Sequence, residues 1–194
     1  MNRTIAFINK YTDLSEQAID FLYTYGRIQK YRKGEIFVLQ QESNNRSCLL
    51  LTGLVGFSII NDKNDSVLTR IITPMNYFVG CKHIYSNKGA LANIEFLKDS
   101  EAFVLNNLHL LQAIRNFREF SLIYNILKQK DLVTCNHYIH LNKIKHIDRL
   151  TYFYSHFPEL KEQLTVRQLC LLLGFSNSKQ YYFALEKYYK SQGF

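Results

Sequence analysis

Tryptophan is absent, proline occurs only at Pro74 and Pro158, and no apolar run approaches the ~18 residues that cross a bilayer. The last absence predicts a chain without a membrane span. So little proline leaves long stretches free to form unbroken helices. The four cysteines, Cys48, Cys81, Cys135 and Cys170, stand more than thirty residues apart, with no Cys-x-x-Cys pair and no adjoining Cys–His cluster. That spacing lacks the signature of zinc or iron–sulfur ligation and predicts reduced thiols in cores or pockets, with no metal and no cofactor. Residues 1–7 carry neither a long apolar segment nor a small-residue cleavage site, which predicts a cytoplasmic protein. Also missing are a Ser/His/Asp set, a glycine-rich phosphate loop and any metal-spaced cluster. Glu35, Glu42 and Glu95 read as surface acids, so no enzyme is expected.

What is present is an ordinary globular composition, 47% hydrophobic and 21% charged, with fourteen Tyr and fourteen Phe to fill a core. The charge is not ordinary. The net value is +8, and it is uneven: residues 1–105 hold twelve Lys/Arg against ten Asp/Glu, while residues 106–194 hold twelve against six. Five of the six histidines also fall in the second half. A basic C-terminal half predicts a polyanionic partner, above all nucleic acid.

Three glycine-bearing segments organise the first half: Tyr31-Arg32-Lys33-Gly34-Glu35, Leu51-Thr52-Gly53-Leu54-Val55-Gly56 and Pro74-Met75-Asn76-Tyr77-Phe78-Val79-Gly80. Glycine at strand corners supplies turns and close approaches that other residues resist. Residues 13–25 read as an amphipathic helix carrying Leu14, Ala18, Phe21 and Leu22 on one face. From about Lys33 the period shortens. Ile36 with Val38, then residues 48–51, 54–60, 67–72, 94–96 and 102–105, are short apolar segments bounded by Gly, Asn, Asp or Ser, with a polar hairpin tip at residues 61–65. This spacing predicts an all-β roll. After Asn106-Asn107 the spacing turns helical without Gly or Pro, predicting one long helix over 108–141 through Leu108, Leu111, Ile114, Phe117, Leu122, Ile123, Ile126 and Leu127. Its spare apolar face predicts either a homodimer seam or burial against the roll.

Residues 147–157 form a further helix stopped by Pro158. Thr165 and Gln168 then make a capping box, and the helix they open carries Leu169, Leu172 and Leu173 inward and ends at Gly174. Ser176 or Asn177 caps a last helix from Ser178 to about Lys190. A small residue, Cys170, then a corner glycine, a polar cap and a basic helix is the layout of a helix-turn-helix.

In this order the pieces resemble the Crp/Fnr family of bacterial transcription regulators. The carrying residues are Lys33-Gly34-Glu35, Leu51-Thr52-Gly53-Leu54-Val55, Pro74 to Gly80, Asp148-Arg149-Leu150, Phe157-Pro158-Glu159-Leu160 and Leu172-Leu173-Gly174-Phe175-Ser176. The resemblance implies an α+β chain: a cyclic-nucleotide-binding-like sensor roll over 1–107, a dimer helix over 108–141 and a helix-turn-helix domain over 142–194. It implies double-stranded DNA as partner and a homodimer.

Two departures matter. Where members that bind cyclic AMP place a Glu for the ribose and an Arg-Ser or Arg-Thr pair for the phosphate, this chain has Cys81, Leu91 and Ala92. The expected pocket, around Tyr77, Gly80, Cys81, Lys82, His83, Leu91 and Ala92, therefore takes an effector other than cyclic AMP, or none. And where members with this short ending read Ser-Arg-x-Arg, this chain reads Tyr181-Tyr182-Phe183-Ala184. Ser178, Lys179, Gln180 and Tyr182 are left to face the groove, with Arg167, Lys187 and Lys190 for phosphates. The alternative reading is a sensor or adaptor whose helix-turn-helix has decayed, with Tyr181, Tyr182, Tyr188 and Tyr189 as a protein-contact surface.

Overall fold

The computed structural model describes residues 1–62, 64–86 and 88–191. Lys63 of the expected hairpin tip lies outside the described residues. Two groups of residues pack among themselves: 1–59 with 71–132, and 60–70 with 133–194.

In the first group, helices α1 (Asn2–Ile8) and α2 (Glu16–Tyr25) lead into β1 (Arg27–Tyr31), β2 (Ile36–Val38), β3 (Asn44–Thr52) and β4 (Val55–Ile60). Then follow β5 (Ser66–Ile72), β6 (Tyr77–Gly80), β7 (Asn93–Phe96) and β8 (Ser100–Asn106). The strands form two four-stranded sheets, ordered β1-β8-β3-β6 and β2-β7-β4-β5. β8 runs antiparallel to both β1 and β3. Gly53 makes the corner after β3 at φ +89°, and a Cβ there would meet Ser100 Oγ at 2.0 Å, so only glycine fits.

β3 and β8 divide their side chains between two layers, as the two-residue strand period requires. Cys48, Leu50, Ala102 and Val104 enter the roll interior, where Tyr31 stacks on Phe96 at 4.0 Å and Phe37 meets Phe78 edge-on at 5.3 Å. Leu49, Leu51, Phe103 and Leu105 face the other way, into a cluster with Phe7, Ile8, Ala18, Leu22, Ala113, Phe120 and Ile123. Burial on both faces is why residues 48–51 read as a continuous apolar run rather than an alternation.

The single helix predicted over 108–141 is two: α3 (Asn107–Asn116) and α4 (Arg118–Leu141). Phe117 breaks it in an extended conformation, φ −129° and ψ 119°, and meets Phe21 and Phe120 edge-on at 5.6 and 5.8 Å. Aromatic packing makes this break without glycine or proline. Half of the apolar face read as spare is used at home: Ile123 is buried in the outer cluster, with Ile114, Phe117 and Leu127 packed against it, while Leu108 and Leu122 stay exposed.

In the second group, α5 (His146–His156) and a 3-10 turn (Pro158–Leu160) precede α6 (Val166–Leu173) and α7 (Ser178–Ser191). Leu150, Phe153, Leu160, Leu169, Leu173 and Ala184 are fully buried and form its interior. Arg70, at the base of the hairpin, reaches Cys135 Sγ at 3.3 Å within the same group. Among the described residues no helix is long and apolar enough to cross a membrane.

Candidate nucleic-acid interface and sensor pocket

α6 opens with the capping box read from sequence: Thr165 Oγ1 accepts from the Gln168 amide at 3.2 Å, and Gln168 Oε1 accepts from the Thr165 amide at 2.9 Å. It closes at Gly174, φ +72°, whose amide and that of Phe175 both reach the Cys170 carbonyl. Arg149 lies against this corner. Its guanidinium is buried and donates to the Leu173, Asn142 and Ile144 carbonyls at 2.8, 3.2 and 3.4 Å, so one cation ties the end of α6 to the turn after α4.

Of the two caps left open for α7, Asn177 is the one used, its Oδ1 accepting from the Gln180 amide at 3.1 Å. Gln180 Oε1 in turn accepts from the Ser176 amide at 2.9 Å. Its carbonyl oxygen is thus engaged in building the turn. Tyr181, not Gln180, supplies the buried contact, with its hydroxyl 3.5 Å from that of Tyr154 on α5.

The outward face of α7 carries Ser178, Lys179, Gln180, Tyr182 and Phe183, all exposed, and Arg167 is exposed on α6. Lys187 and Lys190 are exposed as well, yet each is paired, to Asp148 at 2.7 Å and to Glu186 at 2.6 Å. Lys190 also holds the Glu186 carboxyl below its usual range. Of the four tyrosines in the alternative reading, Tyr182 and Tyr189 are exposed. Tyr181 is buried, and Tyr188 packs edge-on against Tyr154 at 5.3 Å.

The expected pocket residues separate. Gly80, Cys81 and Ala92 are buried, Ala92 within the roll core, whereas Lys82, His83 and Leu91 are exposed. Cys81 Sγ accepts from Asn107 Nδ2 at 3.2 Å, and Asn107 Oδ1 accepts from Ser47 Oγ at 2.7 Å, so Cys81 is engaged in a side-chain network with Asn107 and Ser47. Burial pushes the Cys81 thiol up.

A cavity of about 70 Å³ lies instead on the outer face of the β1-β8-β3-β6 sheet, against α1, α2 and α4. Of the seven expected residues only Tyr77 lines it. Sequence reasoning missed it because its walls come from seven elements, one of them the unpredicted α1. The isolated signal is Thr4, a polar residue flanked by Ile5, Ala6 and Phe7.

No protein-family model matches the chain, and no curated protein does. Solved structures share its architecture. FixK2 from Bradyrhizobium japonicum is 14% identical, with a TM-score of 0.68 over 86% of each chain. CLP of Xanthomonas campestris, described as a c-di-GMP responsive global regulator, is 13% identical with a TM-score of 0.65, covering 92% of this chain and 93% of its own. The catabolite activator protein of Thermus thermophilus is 15% identical with a TM-score of 0.54, covering 93% and 86%. At such identities the likeness shows the fold alone: this chain has the α+β architecture, with an antiparallel cyclic-nucleotide-binding-like core, of Crp/Fnr-type regulators.

Proposed function

We propose that the chain is a dimeric DNA-binding transcription regulator of the Crp/Fnr type, with α6 and α7 as its helix-turn-helix. The observation that carries this reading is the α6–Gly174–α7 corner, braced by Arg149 and leaving Lys179, Tyr182 and Phe183 exposed on one helix face. The excess of cations in residues 106–194 supports it. Lys179 and Tyr182 face base edges, Ser178 and Arg167 suit phosphates, and Gln180 serves the turn. Lys187 and Lys190 are drawn to phosphates only by giving up Asp148 and Glu186.

The dimer rests on α4. Leu122, Asn125, Gln129, Leu132, Asn136 and Ile139 are all exposed and recur at three- and four-residue steps, the spacing of a coiled-coil seam. Two such units read half-sites about 34 Å apart. The effector is not cyclic AMP, because Cys81 is bound to Asn107 and Leu91 and Ala92 offer no charge to a phosphate.

Selection from random DNA duplexes at low and moderate salt tests the reading. A two-fold symmetric site is expected, and Lys179→Ala should weaken it about ten-fold more than it weakens random DNA. Recovery of no sequence, with all binding lost on adding salt, would leave only a basic surface. One observation favours the adaptor reading: Tyr182, Phe183 and Tyr189 are 57%, 65% and 44% exposed, an aromatic set suited to a protein partner. Such binding would be nearly insensitive to salt.

A further inference from the structure

We infer that the cavity beneath α1 is a binding site for a small neutral aliphatic molecule with a single oxygen, such as a short alcohol or ketone. Its walls include Leu22, Leu105, Phe120, Ile123 and Leu127, and they are almost wholly apolar. Set into them is Thr4, 1% exposed, whose Oγ1 has no hydrogen-bond partner. Buried hydroxyls are ordinarily bonded, so one without a partner in an apolar wall is a point where a polar atom of a ligand can be held.

A single water is a poor occupant. The volume is ample for one, but a buried water needs about two to four polar partners. The other polar lining groups each have a partner: Ser47 Oγ donates to Asn107, and one of the Tyr77 and Tyr124 hydroxyls donates to the other. Among the lining groups Thr4 Oγ1 alone has none. An anion does not suit it either, since no cationic side chain is among the lining residues. A molecule with one oxygen for Thr4 and a hydrocarbon tail satisfies both demands. An engineered apolar cavity of roughly 150 Å³ takes the six carbons of benzene, so the 70 Å³ here suits a tail of about three carbons. Apart from Tyr77 the site uses none of the expected pocket residues, and it does not depend on whether the chain binds DNA.

The test is titration of the full chain with 1-propanol and, separately, with 1-chloropropane, followed by methyl resonances of Leu22, Leu105 and Ile123. Propanol should saturate and shift these methyls, binding more tightly than chloropropane. Thr4→Val should weaken propanol about five- to ten-fold and leave chloropropane unchanged, while Thr4→Ser keeps the preference. Absence of saturable shifts, or equal affinity of propanol for wild type and Thr4→Val, overturns the proposal. If Thr4→Val does not fold, the ratio of propanol to chloropropane affinity in wild type and Thr4→Ser decides: a ratio of one in both overturns it.

Discussion

Arg149 is the residue on which the C-terminal helices turn. Its three carbonyl partners sit where α6 ends and where α4 gives way to α5, and such groups have no helical donors of their own. Arg149→Met keeps much of the volume and removes every bond. The expected cost is about 2–4 kcal/mol, read as a lower urea midpoint for the full chain. An unchanged midpoint would show that water replaces the guanidinium. The sequence motif Asp148-Arg149-Leu150 marks the position but not this role, because the carbonyls that need a donor come from residues up to 24 positions away. Gly174 and the Thr165/Gln168 box were legible at once, since each acts within its own turn. Gln180 was legible as exposed and polar, and illegible as a brace for Ser176.

Elements follow the same division between local and distant causes. β3 and β8 announce themselves by composition, and β1 does not: of its five residues only Tyr31 is buried, so no alternation appears. The break at Phe117 is silent in sequence because it depends on Phe21, almost a hundred residues earlier.

The packing of α4 on α5 carries a pH dependence of its own. His137 Nδ1 lies 2.9 Å from the Tyr152 hydroxyl, Tyr152 stacks on His156 at 4.0 Å and on His140 at 4.7 Å, and Phe157 meets His137 edge-on. Burial first, then the charges of His156 and His140, hold His137 below the ordinary histidine range. The folded chain therefore resists a proton that the unfolded chain accepts. Stability is full above the unfolded value near ~6.5, falls as pH drops below it, and levels off beneath the lower folded value. His137→Phe should flatten the acid limb of melting temperature against pH between about 7 and 5. A limb of unchanged slope would place the proton uptake elsewhere.

For the whole molecule, the seam proposed on α4 is the feature with most at stake. Its positions mix Leu122, Leu132 and Ile139 with Asn125, Gln129 and Asn136, a composition that would fix register at some loss of strength. Leu132→Glu with Ile139→Glu should convert a dimer to a folded monomer in sedimentation, with helix content unchanged. Persistence of the dimer would move the seam off α4. The division of β3 and β8 between two layers has a consequence for descent. Cys48 and Leu50 answer to one set of neighbours, Leu49 and Leu51 to another, and a slip of one residue exchanges both sets. The wall constrains size and apolarity at each position while leaving identity free, as packed cores do. Two sequences can thus differ at nearly every letter and keep the same register, and a TM-score of 0.68 stands here beside 14% identity. Lys179 and Phe183, exposed on α7, answer to no such pair of layers, and their letters are free to change without moving the register of the sheets.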